Sequence, residues 1–158
     1  MSHKSPNPSV LLRRIFYGYC AVVLLLMFAR PRLSFELPYW EQLAASLNLS
    51  PFRSITVYLY LMIRQPNPEL LSYAWINFLG NLLLFIPFGF LLPCLARRVR
   101  SFLRILLTTI VLLLLLETLQ LFTLLGSFDI DDIILNLLGA AIGYMIFYFA
   151  RRKWNIAI

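Results

Sequence analysis

The chain has 158 residues, of which 61% are hydrophobic and 13% are charged, and its mean hydropathy is +0.80. This composition argues against a soluble globular domain, which is about half apolar, and the length predicts one domain over residues 1–158. The net charge is +7, but lysine and arginine flank apolar segments, which is typical of membrane topology signals and argues against nucleic-acid binding. The single histidine, His3, leaves little material for a histidine-based metal site or catalytic triad.

Four apolar segments are long enough to cross a bilayer, which takes roughly 20 residues of helix. In chain order they cover residues 10–29, 75–95, 102–125 and 133–150. The first resembles a secretory signal, but "RPR" follows it where a small-residue cleavage site would be needed, so we expect it to be retained. The sequence therefore predicts an all-α integral membrane protein built as a bundle of four transmembrane helices.

A long connection, residues 31–73, separates the first two segments. Within it, "YWEQLAASL" predicts a short interfacial helix with Tyr39 and Trp40 at headgroup level. The apolar stretch "SITVYLYLMI", residues 54–63, is too short to cross the membrane. It predicts a second short helix, either re-entrant or interfacial.

Lysine and arginine are divided unevenly between the two sides of the predicted bundle. One side holds ten of the fourteen and has no Asp or Glu: Lys4, Arg13, Arg14, Arg97, Arg98, Arg100, Arg104, Arg151, Arg152 and Lys153. Because positive charge concentrates on the cytoplasmic side of membrane proteins, we expect both termini in the cytoplasm and residues 31–73 outside. The acidic stretch "GSFDIDD" then also faces outward.

Polar side chains recur at one depth in three of the predicted helices. They are Asn77 and Asn81 in the second, Glu117 and Gln120 in the third, and Asp132 and Asn136 in the fourth. Within each pair the spacing of three or four residues places both side chains on one helix face. Glu117 lies roughly 20 Å along its helix from Arg104, at ~1.5 Å per residue, so it falls in the outer third of the membrane. If the three faces converge, they form a polar pocket that opens to the outside.

Helix–helix hydrogen bonding is the alternative explanation for these residues, since polar groups in membrane helices bind helices together at about 0.6–2 kcal/mol each. We favour that explanation for Asn77 and Gln120 taken alone. For Glu117 we favour a functional site, because an ionisable group inside a membrane costs roughly 2.5 kcal/mol or more. The three aspartates at the start of the fourth helix complement its dipole, but one aspartate is enough for that role.

Backbone features predict where helices bend and where they pack. Pro87 predicts a kink in the second helix, because it has no N–H and clashes with the carbonyl of Leu83. Gly139 and Gly143 predict a small-residue face that packs against another helix. The aromatic residues near the end of the fourth helix are expected to face lipid or headgroups: Tyr144, Phe147, Tyr148, Phe149 and Trp154.

Four stretches of the chain, "NLSPF", "NFLGNLLLFIPFGFLLP", "ETLQLF" and "DIDDIILNLLGAAIG", together resemble the VanZ-like family. The resemblance covers roughly residues 48–144 and rests on Asn81, Pro87, Gly89, Glu117, Gln120, Asp129, Asp132, Asn136, Gly139 and Gly143. Asp131 lies outside the family pattern. The resemblance implies a multi-pass protein of the bacterial plasma membrane, mainly of Gram-positive bacteria, in a family named for a protein associated with teicoplanin resistance.

The resemblance and the predicted pocket together suggest a protein of the cell envelope that contributes to teicoplanin or lipoglycopeptide resistance by binding an amphipathic ligand. That ligand would be a membrane lipid, a lipid-linked cell-wall precursor or the lipoglycopeptide itself. The candidate binding residues are Arg53, Arg64, Asn77, Asn81, Glu117, Gln120, Asp129, Asp132 and Asn136. This function needs no cofactor, and it leaves a homo-oligomer open.

An intramembrane enzyme is the main alternative. Glu117 would act as general acid or base, while Asp129 and Asp132 would hold a divalent cation, for which Mg²⁺ or Mn²⁺ suits oxygen ligands. The substrate would be a polyprenyl- or lipid-linked phosphate, received by Arg53 or Arg64. A transporter half or accessory subunit is a third alternative, although no inverted repeat is visible.

Overall fold

The computed structural model describes residues 8–28, 37–64 and 67–154. Within these ranges the elements are α1 Pro8–Phe28, α2 Tyr39–Ala45, β1 Leu47–Asn48, α3 Arg53–Arg64, α4 Pro68–Leu84, α5 Ile86–Leu95, α6 Phe102–Thr123, β2 Phe128–Asp129 and α7 Ile130–Trp154. A 3₁₀ turn, Arg97–Val99, connects α5 to α6. Four helical stretches of the described chain are long and apolar enough to cross a membrane: α1, α4 with α5, α6, and α7. The predicted helical architecture with four spans is therefore confirmed.

The second span is longer than its apolar run predicted. Its helix begins at Pro68, seven residues before the predicted start at residue 75, so the connection between the first two spans ends earlier than residue 73. Asn67 caps the helix, because its side-chain oxygen accepts the backbone N–H of Glu69 at 2.8 Å. Pro68 occupies the first turn, where its missing N–H costs nothing. The cap, and not the start of apolarity, decides where this helix begins.

The predicted kink is present as a break between α4 and α5. Phe85 leaves helical geometry, with φ of −97° and ψ of 1°, and Pro87 lies in the first turn of α5. Proline cannot donate to the carbonyl of Leu83, and its ring clashes with that carbonyl, so one helix ends and another starts here. The break leaves the last carbonyls of α4 available to side chains from other helices.

Helix α7 packs closely against α4 and α5 through small residues. A β-carbon on Gly139 would lie 2.1 Å from the carbonyl oxygen of Leu82, and one on Gly143 would lie 2.0 Å from that of Ile86. From the other side, a β-carbon on Gly89 would lie 2.0 Å from the carbonyl oxygen of Ala140. The predicted small-residue interface is confirmed, and α7 forms the centre of the bundle.

Helix α1 lies at the edge of the bundle. In its most apolar 18-residue stretch, only 11% of the residues are buried, against 39% in the corresponding stretch of each of the other three spans. Val23 and Met27 reach the core, and the Tyr19 hydroxyl donates to the Leu84 carbonyl at 2.6 Å, in the last turn of α4. A few side chains therefore attach α1 to the rest of the protein.

The connection between the first two spans folds into the two short helices that were expected there. Helices α2 and α3 coincide closely with the two stretches named above, while their interfacial or re-entrant position stays a prediction. Between them, β1 pairs in parallel with β2, with Leu47 opposite Phe128 and Asn48 opposite Asp129. This pairing joins the connection to the segment that leads into α7.

The bundle has two chemically different ends. The acidic end carries Glu117, Asp129, Asp131 and Asp132, together with α2, α3 and the start of α4. The basic end carries Arg97, Arg98, Arg100, Arg104, Arg151, Arg152 and Lys153. The assignment of the basic end to the cytoplasm stays a prediction.

One expectation about the basic end is wrong. Phe147 does not face lipid, because it is 4% exposed and its ring packs 5.9 Å from that of Tyr144. Tyr144 is half-buried, whereas Tyr148 and Phe149 are exposed as expected. The side chain of Trp154 lies outside the described residues. A run of aromatic residues did not distinguish the lipid face from the core, because Phe147 follows Gly143 by one turn on the packed face of α7.

Candidate functional site

A cavity of about 290 Å³ lies near the acidic end of the bundle, where four helices meet. Its polar lining consists of Asn81 from α4, Glu117 and Gln120 from α6, and Asp132 from α7. The rest of its lining is apolar: Leu26 and Met27 from α1, and Ile76, Gly80 and Leu84 from α4. Four of the candidate residues therefore converge on one cavity, which we call the polar cavity.

Two buried carboxylates line the polar cavity. Glu117 is 2% exposed, and one of its oxygens, Oε2, accepts the backbone N–H of Asp129 at 3.3 Å. Asp132 is also buried, and its Oδ1 accepts a hydrogen bond from the side-chain amide of Asn81. These bonds orient both carboxylates and connect α6 to β2 and α4 to the first turn of α7. No lysine or arginine is among the described residues that line this cavity.

The side of the cavity that faces away from the core is apolar and open. Leu26 on α1 and Ile76 on α4 are both exposed, and Gly80 leaves open space where a side chain would otherwise lie. A β-carbon on Gly80 would have no atom of another part of the chain within 4 Å. The opening therefore lies between α1 and α4, on the surface that the apolar exteriors of both helices share.

Gln120 links α6 to the end of α1. Its side-chain amide donates to the Met27 carbonyl at 2.7 Å, and Met27 lies in the last turn of α1, where carbonyls lack helical partners. This is the helix–helix hydrogen bond that the packing alternative predicts for Gln120. The same side chain lines the cavity, so Gln120 borders the open space and also holds the end of α1 against α6.

Asn77 and Asn136 are buried near the cavity but are absent from its lining. The Asn77 amide donates to the Tyr73 carbonyl one turn earlier in α4, at 2.7 Å. The Asn136 amide donates to the Asp132 carbonyl at 2.7 Å, while its Oδ1 has no hydrogen-bond partner in the described part of the chain. Asn136 is fully buried, so this oxygen is a rare orphaned acceptor one turn below Asp132.

Asp129 belongs to a second polar cluster outside the cavity. Its Oδ2 accepts the Ser54 hydroxyl at 2.6 Å and the Asn48 side-chain amide at 3.1 Å. Its Oδ1 accepts the backbone N–H of Asp131 at 2.8 Å. Both oxygens are therefore engaged by donors of the chain itself, which leaves Asp129 poorly placed to coordinate a cation.

Asp131 belongs to the same cluster and binds the N-terminus of helix α3. Its carboxylate is fully buried and accepts three backbone N–H groups at the start of that helix: Phe52 at 2.6 Å, Ser54 at 2.7 Å and Ile55 at 3.1 Å. The amide groups at a helix N-terminus have no helical partner and favour negative charge. Asp131 thus caps α3, although it belongs to α7.

Sequence reasoning missed three residues of this region. Asn48 and Ser54 bind Asp129, and Tyr58 on α3 is buried next to the acidic residues. Burial, and then the negative charge of Asp132, raise the pKa of the Tyr58 phenol well above its usual value, so it stays protonated. The stretch "NLSPFRS" contains two of the three, but nothing in it indicates a contact with residue 129. Arg53 and Arg64 are exposed in α3 and do not line the cavity.

The four carboxylates of the acidic end are divided between the polar cavity and the cluster that contains Asp129 and Asp131. Among the residues described in the structure, no group of three or more His, Cys, Asp or Glu side chains is placed to hold a metal ion. The polar cavity offers two carboxylates and two amides, and the other two aspartates hold the connection in place. The polar groups of this cavity are therefore suited to form hydrogen bonds with a ligand-sized polar group and to attract positive charge.

The fold and the cavity together define a multi-pass membrane protein with a buried carboxylate–amide cavity. The family model described as VanZ/LLP1 matches residues 15–151 of the chain. The chain belongs to this family, as its sequence motifs predicted. No curated protein and no solved structure matches it.

Proposed function

We propose that this protein binds the polar part of an amphipathic ligand in the polar cavity, with the acidic end facing outward, and thereby contributes to resistance against teicoplanin and related lipoglycopeptides. The observation that carries the proposal is a cavity that is polar at its base and apolar at an opening between α1 and α4. Membership of the VanZ/LLP1 family supports the link to resistance. The bacterial plasma membrane and the orientation with both termini inside are parts of the same proposal.

The charge of the cavity narrows the chemistry of the ligand. Glu117 and Asp132 attract hydrogen-bond donors and cations, and the described residues that line the cavity include no lysine or arginine. Hydroxyl, amide and ammonium groups therefore suit the cavity better than a bare phosphate, which two carboxylates would repel. The sugar and peptide parts of a lipid-linked cell-wall precursor, or of a lipoglycopeptide, supply such groups.

The size and opening of the cavity favour partial enclosure of the ligand. Ligand pockets that bury a whole drug-sized molecule measure about 300–1,000 Å³, and this cavity is at the lower limit. It accommodates one polar group while the lipid tail stays between α1 and α4 or in the bilayer. Side entry of this kind needs an apolar opening, which Leu26 and Ile76 provide.

Blocking the opening tests the proposal without disturbing the carboxylates. Gly80→Leu adds a side chain where a β-carbon meets nothing, so we expect normal folding, with a helix-propensity gain of up to about 1 kcal/mol. In a teicoplanin-susceptible bacterial host, the wild-type chain should raise the inhibitory concentration and Gly80→Leu should return it to the empty-vector value. Gly18→Leu on α1 is the matched control, because that glycine also faces open space but lies outside the cavity lining.

Two outcomes would contradict the proposal at this point. If Gly80→Leu and Gly18→Leu behave alike at equal membrane levels, the cavity opening is not the route of the ligand. If the wild-type chain does not change teicoplanin susceptibility in any envelope background, the resistance part of the proposal fails.

Removing charge from the cavity tests whether its buried carboxylates are needed for function. Glu117→Gln keeps the shape and the acceptor for the Asp129 N–H but removes the ionisable group. We expect unchanged membrane levels and a loss of the resistance phenotype, and Asp132→Asn should act in the same way. Glu41→Gln is the control, because Glu41 is exposed on α2 and is not part of the cavity lining. A fully active, well-expressed Glu117→Gln protein would show that Glu117 only joins helices.

An intramembrane enzyme is the second candidate, because two carboxylates share one cavity. With Asp129 occupied by Ser54 and Asn48, the pair that would act is Glu117 and Asp132. A lipid-linked phosphate would need a divalent cation between it and this pair. Release of phosphate from a polyprenyl phosphate by the purified protein, dependent on Mg²⁺ or Mn²⁺ and lost in Glu117→Gln, would decide in favour of this candidate.

A further inference from the structure

A second cavity lies at the opposite, basic end of the bundle and has no part in the proposed function. Its volume is about 410 Å³. Its lining consists of three arginines and three aromatic residues: Arg100, Arg151, Arg152, Tyr144, Phe147 and Tyr148. We call it the arginine cavity.

The chain holds the base of the arginine cavity in a fixed place. The Nε of Arg100 donates to the Pro93 carbonyl at 3.0 Å, and the Tyr144 hydroxyl donates to the Arg100 carbonyl at 2.8 Å. These bonds join the end of α5, the turn that follows it and α7. Phe147 is buried and also lines the cavity, so part of the cavity wall is apolar.

The elements that form the cavity contain several basic residues and no Asp or Glu. Residues 97–116 and 133–154, which contain all six lining residues, include no Asp or Glu. Arg151 and Arg152 are exposed and follow each other at the end of α7, while Arg100 is half-buried. Three guanidinium groups around one space of this size create a strong preference for an anion.

We propose that the arginine cavity binds the phosphate-bearing headgroup of an anionic membrane lipid. Arginine binds phosphate oxygens through two parallel N–H donors, and basic pockets between membrane helices are suited to anionic headgroups. The exposed ring of Tyr148 adds a surface of the kind that lies at headgroup level. A soluble phosphate would satisfy the guanidinium groups but would make no use of the aromatic wall, so the lipid is the better fit.

The test measures binding of one fluorescently labelled phosphatidylglycerol molecule to the purified full-length protein in micelles of a neutral detergent at 0.15 M salt. Single lipids in micelles create no charged surface, so only a local contact contributes. We expect Arg151→Gln/Arg152→Gln to weaken binding on the order of 20-fold, from about fivefold for each exposed ion pair between an arginine and the phosphate. Unlabelled phosphatidylglycerol should compete, and phosphatidylcholine should compete far less.

The matched control is Arg97→Gln/Arg98→Gln, which removes the same charge at the same end from two exposed arginines outside the cavity. We expect it to weaken binding by less than about threefold, because these two arginines do not line the cavity and charges without direct contact are screened over ~8 Å at this salt concentration. Equal losses in the two double variants would overturn the proposal. Displacement of the lipid by inorganic phosphate at low millimolar concentration would overturn the lipid assignment.

Folding is checked by the thermal stability of each variant in the same detergent. All four arginines are exposed, so we expect melting temperatures close to that of the wild type. If a double variant does not fold, the single variants Arg152→Gln and Arg98→Gln give the same comparison, with about a fivefold loss expected for the first and almost none for the second.

Discussion

Asp131→Asn is the substitution for which the structure gives the clearest expected magnitude. The wild-type carboxylate is fully buried and accepts three backbone N–H groups at the start of α3. One of them belongs to Phe52, which has a positive φ of 65°, a conformation that is unfavourable for a residue other than glycine. Asp131 therefore stabilises both the helix start and a strained turn before it.

The size of the effect follows from the hydrogen bonds that asparagine can keep. With its single oxygen in the place of Oδ2, it still accepts Ser54 and Ile55, but its NH₂ then faces the N–H of Phe52. One buried donor without a partner costs about 1–3 kcal/mol. Loss of charge from the two remaining bonds costs about 1 kcal/mol each, since bonds to charged groups are worth roughly twice as much as neutral ones. The free energy of unfolding should fall by about 3–5 kcal/mol.

The assay is unfolding of the purified protein in detergent micelles by increasing SDS, followed by circular dichroism. A local measurement accompanies it: trypsin cuts after Arg53, which is exposed at the start of α3, and cleavage there should accelerate in the variant. Glu69→Gln is the control, because Glu69 is an exposed acid in the first turn of α4, where the helix dipole contributes only about 0.3–1 kcal/mol. A loss below about 1 kcal/mol, with unchanged cleavage after Arg53, would refute the assigned role of Asp131.

Two further predictions concern packing and orientation. Gly143→Ala should lower the free energy of unfolding by about 1–3 kcal/mol or more, because the new β-carbon would lie 2.0 Å from the Ile86 carbonyl oxygen. The control Gly18→Ala meets no neighbour and should be neutral or stabilising. Equal results for the two variants would contradict the close approach of α7. In intact cells that express a chain without Cys20 and Cys94, an impermeant thiol reagent should label Ser50→Cys before lysis and Arg98→Cys only after lysis. The reverse pattern would invert the proposed orientation.

The helices could be predicted from the sequence because a long apolar segment in a bilayer forms an α-helix. An apolar segment of this length must satisfy its backbone internally, so a helix follows from composition alone. The close packing of Gly139 and Gly143 could also be predicted, since small residues spaced four apart in a membrane helix indicate a face that packs closely against another helix. The start of α4 was missed although "NPE" contains its signals, an Asn cap and a Pro in the first turn, because apolarity alone set the predicted boundary.

The separate roles of the three aspartates could not be predicted, because their partners are far away in the chain. Asp132 points to Asn81 and lines the cavity, Asp129 binds Ser54, and Asp131 caps α3. A sequence shows three carboxylates in four positions but not which helix start or hydroxyl each of them meets. The pairing of β1 with β2 decides this, and two residues per strand leave no recognisable pattern.

The long-range pairing at the acidic end also sets an order of events during synthesis. Asn48 and its partner Asp129 are 81 residues apart in the chain. At ~5–20 residues per second, the ribosome needs roughly 4–16 s to produce the second partner after the first. During that interval α3 has no cap from Asp131, and the N–H of Phe52 lacks the carboxylate that accepts it in the folded protein. The connection between the first two spans is therefore expected to mature last, after α7 has crossed the membrane and delivered both aspartates to the same side.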